Sequence, residues 1–216
     1  FIAQLIILFA IRFIFDKSLL STLKFIVLIF AASLIHSVSL IYLTLLVVKI
    51  SRKKSFYQFI TVASIVIFVL ASLLKPVLPV IANWLLSFIG RAGSYLEGNV
   101  NIGHIVVLLI YVWGAGPLYY FQKYITDDTA KLQVSNILRV HIIMSLYLSL
   151  LLFDSNFYRI FRNIIILNLI GLSLIYTNSK KSTSTVLIIP ILLFYTLGWF
   201  IRDLILKNNI SDVIYP

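Results

Sequence analysis

Long apolar runs separated by short basic stretches set the pattern of this chain. Phe25–Val48 and Phe56–Leu74 contain no Asp, Glu, Lys or Arg, and both are long enough to cross a bilayer as a helix. Ile105–Phe121 is slightly shorter and equally free of charge. Leu132–Phe153 fits a span with Arg139 and His141 near one end. Asn163–Thr177 is short and is expected to extend through Arg162 or to thin the bilayer locally. Thr183–Ile201 is a clean run with a kink expected at Pro190, and Phe1–Phe15 is a partial span carrying Arg12. No segment shows the strict two-residue alternation of a membrane β-strand. The pattern predicts an all-α, polytopic transmembrane helical bundle of about seven spans.

One stretch breaks the rhythm. Pro76–Ile89 carries Pro76 and Pro79 and then turns amphipathic. It is expected to form an interfacial or re-entrant helix within a long extracytoplasmic loop, 75–103. The whole of 1–216 is expected to be one integral membrane domain, belonging to a longer chain.

Composition agrees with the spans. The chain is 61% hydrophobic and 12% charged, against about half and a quarter in soluble domains. Its mean hydropathy is +1.06. No cysteine is present, which removes disulfides and thiolate metal sites, and the three histidines are far apart.

Charge then divides the ends of the spans. With Phe25–Val48 as one crossing, side B holds Lys49, Arg52, Lys53, Lys54, Lys123, Lys131, Lys180 and Lys181. Side A holds Lys17, Lys24, Lys75, Arg91, Arg159, Arg162, Arg202 and Lys207. The totals tie, but side B concentrates its charge in short loops, which places it in the cytoplasm. Side B is nearly all lysine, whereas side A holds most of the loop arginines. Lysines beside spans need only topology and anionic lipid to explain them. Arginine grips phosphate bidentately, so Arg91, Arg159, Arg162 and Arg202 together suit a pyrophosphate. Each taken singly is equally explained by interfacial snorkelling.

Other polar features have plainer readings. His36 is placed near the middle of its span with Ser33 and Ser39 on the same helical face, where a hydrogen-bonded packing role is the bland expectation. The loop GRAGSYLEGNVNIGH, from Gly90 to His104, offers Arg91, Tyr95, Glu97 and His104 to a sugar, or is simply solvated. Asp154 could pair with Arg159 or Arg162 at a span's mouth. Asp127-Asp128 reads as a helix start rather than a metal site. The familiar phosphate-loop, zinc-protease and nucleophile-elbow motifs do not occur. The +11 charge lies on both sides of a membrane protein, so nucleic acid is not an expected partner.

The run KFIVLIFAASLIHSVSLIYLTLLVV resembles a feature of the EpsG-like, Wzy-type polysaccharide polymerases (makers of O-antigen, exopolysaccharide or capsule). The resemblance lies in Ala31, Ala32 and Ser33, then Ile35, His36 and Ser37, with Lys24 ahead of them. It continues through the basic turn SRKK, Tyr95-Leu96, Arg159-Ile160 and, loosely, Tyr215-Pro216. Ile35 departs from the phenylalanine usual before the histidine, and no arginine-glutamine step is visible near the first span.

The resemblance implies a metal-independent, cofactor-free membrane glycosyltransferase of the bacterial cytoplasmic membrane. It would move a growing glycan from a polyprenyl pyrophosphate carrier to the next lipid-linked repeat unit at the outer face, among membrane lipid and with a possible chain-length regulator as partner. Arg159, Arg162 and Arg91 would hold the pyrophosphate and Tyr95 the glycan. Glu97, His104 and Asp154 are candidates for the base, and His36 is a structural polar residue in the membrane. A lipid-linked sugar flippase and a structural subunit of a membrane complex are the competing expectations.

Overall fold

Among the described residues the regular elements are helices, and their buried positions recur mainly at helical spacing, as in Ser21, Phe25, Ile29 and Ala32. The computed structural model describes residues 2–51, 53–77, 102–153, 157–179, 189–191, 193 and 197–198. Among them run α1 (Ile2–Ile11), α2 (Leu19–Ile35), α3 (Val47–Ile50), α4 (Lys54–Leu74), α5 (Ile102–Phe121), α6 (Asp128–Met144) and α7 (Tyr158–Asn178). Tighter 3₁₀ segments, Ser37–Leu46 and Ser145–Leu152, lead into α3 and continue α6. The predicted all-α class holds for the described residues. Among the described residues, three helical stretches are long and apolar enough to cross a membrane: Lys54–Leu74, Asp128–Leu152 and Ile160–Asn178. Shorter apolar helices span Ile2–Ile14, Leu19–Ile35 and Ser37–Ile50. The amphipathic segment expected in the 75–103 loop lies outside the described residues, as does most of Thr183–Ile201.

Both the inside and the outside of the bundle are apolar. On α2, Phe25, Ile29 and Ala32 are buried, while Leu23, Val27, Phe30 and Leu34 face outward, Leu34 at 90% exposure. On α4 only Tyr57 and Ser64 are buried, and Phe59, Val62, Ile65, Val69 and Leu73 are exposed. A soluble protein does not present such faces; hydrocarbon is the solvent that suits them.

The run from Leu19 to Ile50 folds back on itself, which corrects the single span predicted over Phe25–Val48. Ser18 caps α2, its Oγ accepting from Ser21 N at 3.1 Å. The helix closes with His36 N donating to Ala32 O at 2.9 Å. His36 itself is extended, at φ −150° and ψ 102°. Ser39 N then donates to His36 O at 2.9 Å and starts the 3₁₀ segment. At the far end of that return arm, Lys49 Nζ donates to Thr22 Oγ1 at 2.7 Å. A continuous α-helix would separate those residues by about 40 Å. The two arms match in height: 17 residues of α2 rise about 25 Å, and ten 3₁₀ residues followed by the four of α3 rise about 26 Å.

The fold-back fixes which ends lie together. Ser18, Lys49 and Ser51 share one end, where Tyr57 Oη also donates to Ser51 O at 2.7 Å. At that end Thr126 N donates to Asn178 O at 3.1 Å, and Ile125 bridges Ser179. Lys17 therefore stands with Lys49 and Lys53, and Lys24 lies over the Phe13 ring near the same turn, not on the opposite side as the sequence predicted. His36, the C-terminal end of α4 and the N-terminal ends of α5 and α7 form the other end.

Two contacts set the interior. Gly171 of α7 lets α5 approach closely: a Cβ there would lie 2.7 Å from Leu118 Cδ2. Ser64 and Ser145 join α4 to the extension of α6 through a 2.7 Å hydroxyl pair.

Candidate functional site at the His36 end

Helix α7 begins at Tyr158, so Arg159 and Arg162 occupy its first turns, as expected for a span lengthened through Arg162. N-terminal turns carry unpaired N–H groups and a partial positive charge, both of which favour anions. Arg162 is partly exposed.

Directly beneath, Tyr42 of the return arm donates its hydroxyl to Ile160 O and accepts from Asn163 Nδ2 at 3.2 Å. Tyr42 and Asn163 are both buried. Among the described residues Asn163 Oδ1 finds no hydrogen-bond donor. A buried acceptor left unpaired is costly, and this one adjoins Arg162 in sequence at the same end as His36.

His36 is half-buried at the apex of the hairpin rather than in the middle of a straight helix. Nor does it share a face with its serines. Ser33 Oγ donates to Phe30 O at 2.7 Å, and Ser39 Oγ turns to Ala32 O at 3.5 Å. The break explains both departures.

Arg91, Tyr95, Glu97 and Asp154 lie outside the described residues. His104 and Arg159 have described helical backbone in the first turns of α5 and α7, and their side chains lie outside what is described.

A second polar cluster sits deeper and was not singled out from the sequence. His141 stacks on Tyr111, ring centres 3.8 Å apart at 22°, and Tyr111 Oη donates to His141 O. Asn168 Nδ2 lies 3.0 Å from His141 Nδ1, and Phe161 packs edge-on to Tyr111. His141 is fully inside the bundle rather than at a span end. Arg139 likewise lies well within α6, because the helix starts at Asp128 instead of Leu132. The Asp127-Asp128 expectation holds: Asp127 caps α6, its carboxylate accepting from Thr129 N and Ala130 N at 3.2 and 2.9 Å. The signal for the deep cluster was available as polar residues, His141 and Asn168, in apolar runs. Period alone could not say which helix they face.

The profile of the EpsG family matches residues 1–216, the full length given. The chain belongs to the EpsG family. EpsG proteins are a Wzy-like polysaccharide polymerase family, so the apolar helices described above belong to a multi-pass membrane protein of polysaccharide biosynthesis. Neither the curated proteins nor the solved structures contain a match to this EpsG chain.

Proposed function

We propose that this EpsG protein is a membrane glycosyltransferase that polymerises polyprenyl-pyrophosphate-linked oligosaccharide repeat units, with its His36 end facing outward from the bacterial cytoplasmic membrane. The observation that carries the orientation is the Lys49–Thr22 contact. It puts Arg12, Lys17 and Lys49 at the same end as Lys53, Lys54, Lys123 and Lys131, against Lys75, Arg159 and Arg162 at the other among the described residues. An excess of Lys and Arg marks the cytoplasmic side.

In this reading the bond from the donor's anomeric carbon to the pyrophosphate oxygen breaks. The acceptor hydroxyl oxygen forms the new bond to that carbon, and its proton passes to a base. The pyrophosphate leaves with both electrons of the broken bond. Charge develops on the departing phosphate, where Arg159 and Arg162 at the start of α7, with Arg91, supply fixed positive charge. Tyr95 contacts the glycan. Glu97, His104 and Asp154 remain base candidates, and the apex position adds His36 to them by bringing it to the Arg162 end. A flippase fits less well, because the broken helix lies at the end of the bundle instead of the midplane.

The test is a mutant comparison in cells. Arg159→Ala and Arg162→Ala are expected to abolish polymer while the protein stays in the membrane and lipid-linked single repeats accumulate outside. Repeats accumulating inside would point to a flippase, and failed complex assembly to a structural subunit.

A further inference from the structure

At the end away from His36, a cleft of about 1010 Å³ opens between α4, α5 and α6. Its cations are Lys54 at the start of α4, Lys123 just after α5, and Arg139 of α6. Tyr57, Tyr120 and Gln58 contribute aromatic faces and an amide, and among the described residues no Asp or Glu lines the cleft. It shares no residue with the mouth at Arg162.

Arg139 is the informative residue. It lies about 16 Å along the axis from the start of α6, inside a stretch apolar enough to span a membrane. A charge at such depth is held where it faces protein or a watery cavity, and such residues mark ligand paths. Nη1 of Arg139 donates to Asn136 Oδ1 at 3.1 Å, and the guanidinium carbon stands 5.7 Å from the Tyr57 ring centre. A guanidinium carries five N–H donors, so Asn136 orients the fork and leaves donors for another acceptor. Lys123 Nζ stands 3.9 Å from the Tyr120 ring centre and 4.9 Å from that of Tyr124. These cations are positioned by neutral groups, which hold a positive charge without cancelling it.

We propose that this cleft is a binding site for a phosphate group, with Arg139 as the bidentate donor and Lys54 and Lys123 as flanking charges. Planar guanidinium pairs with two phosphate oxygens, while lysines act as point charges. The volume admits the phosphate together with a polar headgroup or a small soluble carrier. The site lies across the bundle from Arg162, which is assigned to the leaving pyrophosphate, so it stands or falls without that residue.

Full-length protein in nanodiscs of equal phosphatidylglycerol and phosphatidylcholine provides the test. Native mass spectrometry is expected to show retained phosphatidylglycerol favoured about tenfold or more, with the preference removed by Arg139→Gln. In discs of phosphatidylcholine alone, millimolar inorganic pyrophosphate is expected to raise the unfolding temperature of the wild type but not of Arg139→Gln if the natural phosphate is soluble. A response in the first arm assigns a lipid headgroup, and one in the second arm alone assigns a soluble phosphate. Lys123→Gln, outside the spans, repeats both arms should Arg139→Gln fail to fold. No response in either arm, or responses untouched by these substitutions, overturns the site.

Discussion

Lys49 Nζ sits 2.7 Å from Thr22 Oγ1, across 27 residues of apolar chain. The contact turns one predicted crossing into two antiparallel arms with His36 at their apex. The chain has no cysteine, so single-cysteine variants report cleanly. Lys17→Cys and Lys53→Cys are expected to react with a membrane-impermeant maleimide from the same side, and Ser37→Cys from the opposite side. Labelling of all three from one side would exclude the hairpin.

Tyr42 ties the return arm to α7 through Ile160 O and Asn163 Nδ2. Tyr42→Phe removes the hydroxyl and leaves the Asn163 amide buried without its acceptor. The expected loss is about 1–3 kcal/mol, visible as a lower unfolding temperature in detergent. Combined with Asn163→Ala, the losses are expected to fall short of additive by at least about 0.5 kcal/mol, since both act on one network.

Gly171 faces Leu118, a fully buried side chain whose terminal methyl would be 2.7 Å from an added Cβ. Gly171→Ala forces that methyl aside at an expected cost of about 1–3 kcal/mol. Gly171→Leu is expected to part α5 from α7 and to abolish cooperative unfolding in a denaturant titration.

Asp16 gives a pH dependence with a definite sign. Hydrogen bonds from the Ser21 hydroxyl, then from Ser18 N and Oγ, hold its carboxyl below the ordinary carboxylate range. A depressed folded-state pKa stabilises above the unfolded value, near pH 3.9, and that contribution disappears as pH falls through the lower folded value. Hydrogen exchange at the Asp16–Ser21 turn is expected to quicken at low pH relative to its intrinsic rate. Asp16→Asn is expected to exchange faster at neutral pH and to lose that acid response.

The sequence carried the helical class and, among the described residues, three of the spans, because hydropathy counts residues against bilayer thickness. It did not carry the reversal at His36. No glycine or proline marks that turn, and hydropathy is blind to direction, so two short arms looked like one long one. The misplacement of Lys17 and Lys24 follows from that single error, and so does the tie in charge. Arg139 was misread for a related reason: the apolar pattern starts at Leu132, but Asp127 caps the helix a turn earlier and carries Arg139 deeper. The pairing of Tyr42 with Asn163 joins residues 121 apart, which no local pattern can report.

The return arm also works as a ruler. Rewinding its ten 3₁₀ residues as α-helix would shorten it by about 5 Å, roughly one turn of pitch. With Lys49 anchored at the base and His36 held as the cap of α2, that change would leave the arm short of the apex by the same distance. The winding of Ser37–Leu46 thus fits the return arm to the length of α2, and the two together hold His36 above its anchor.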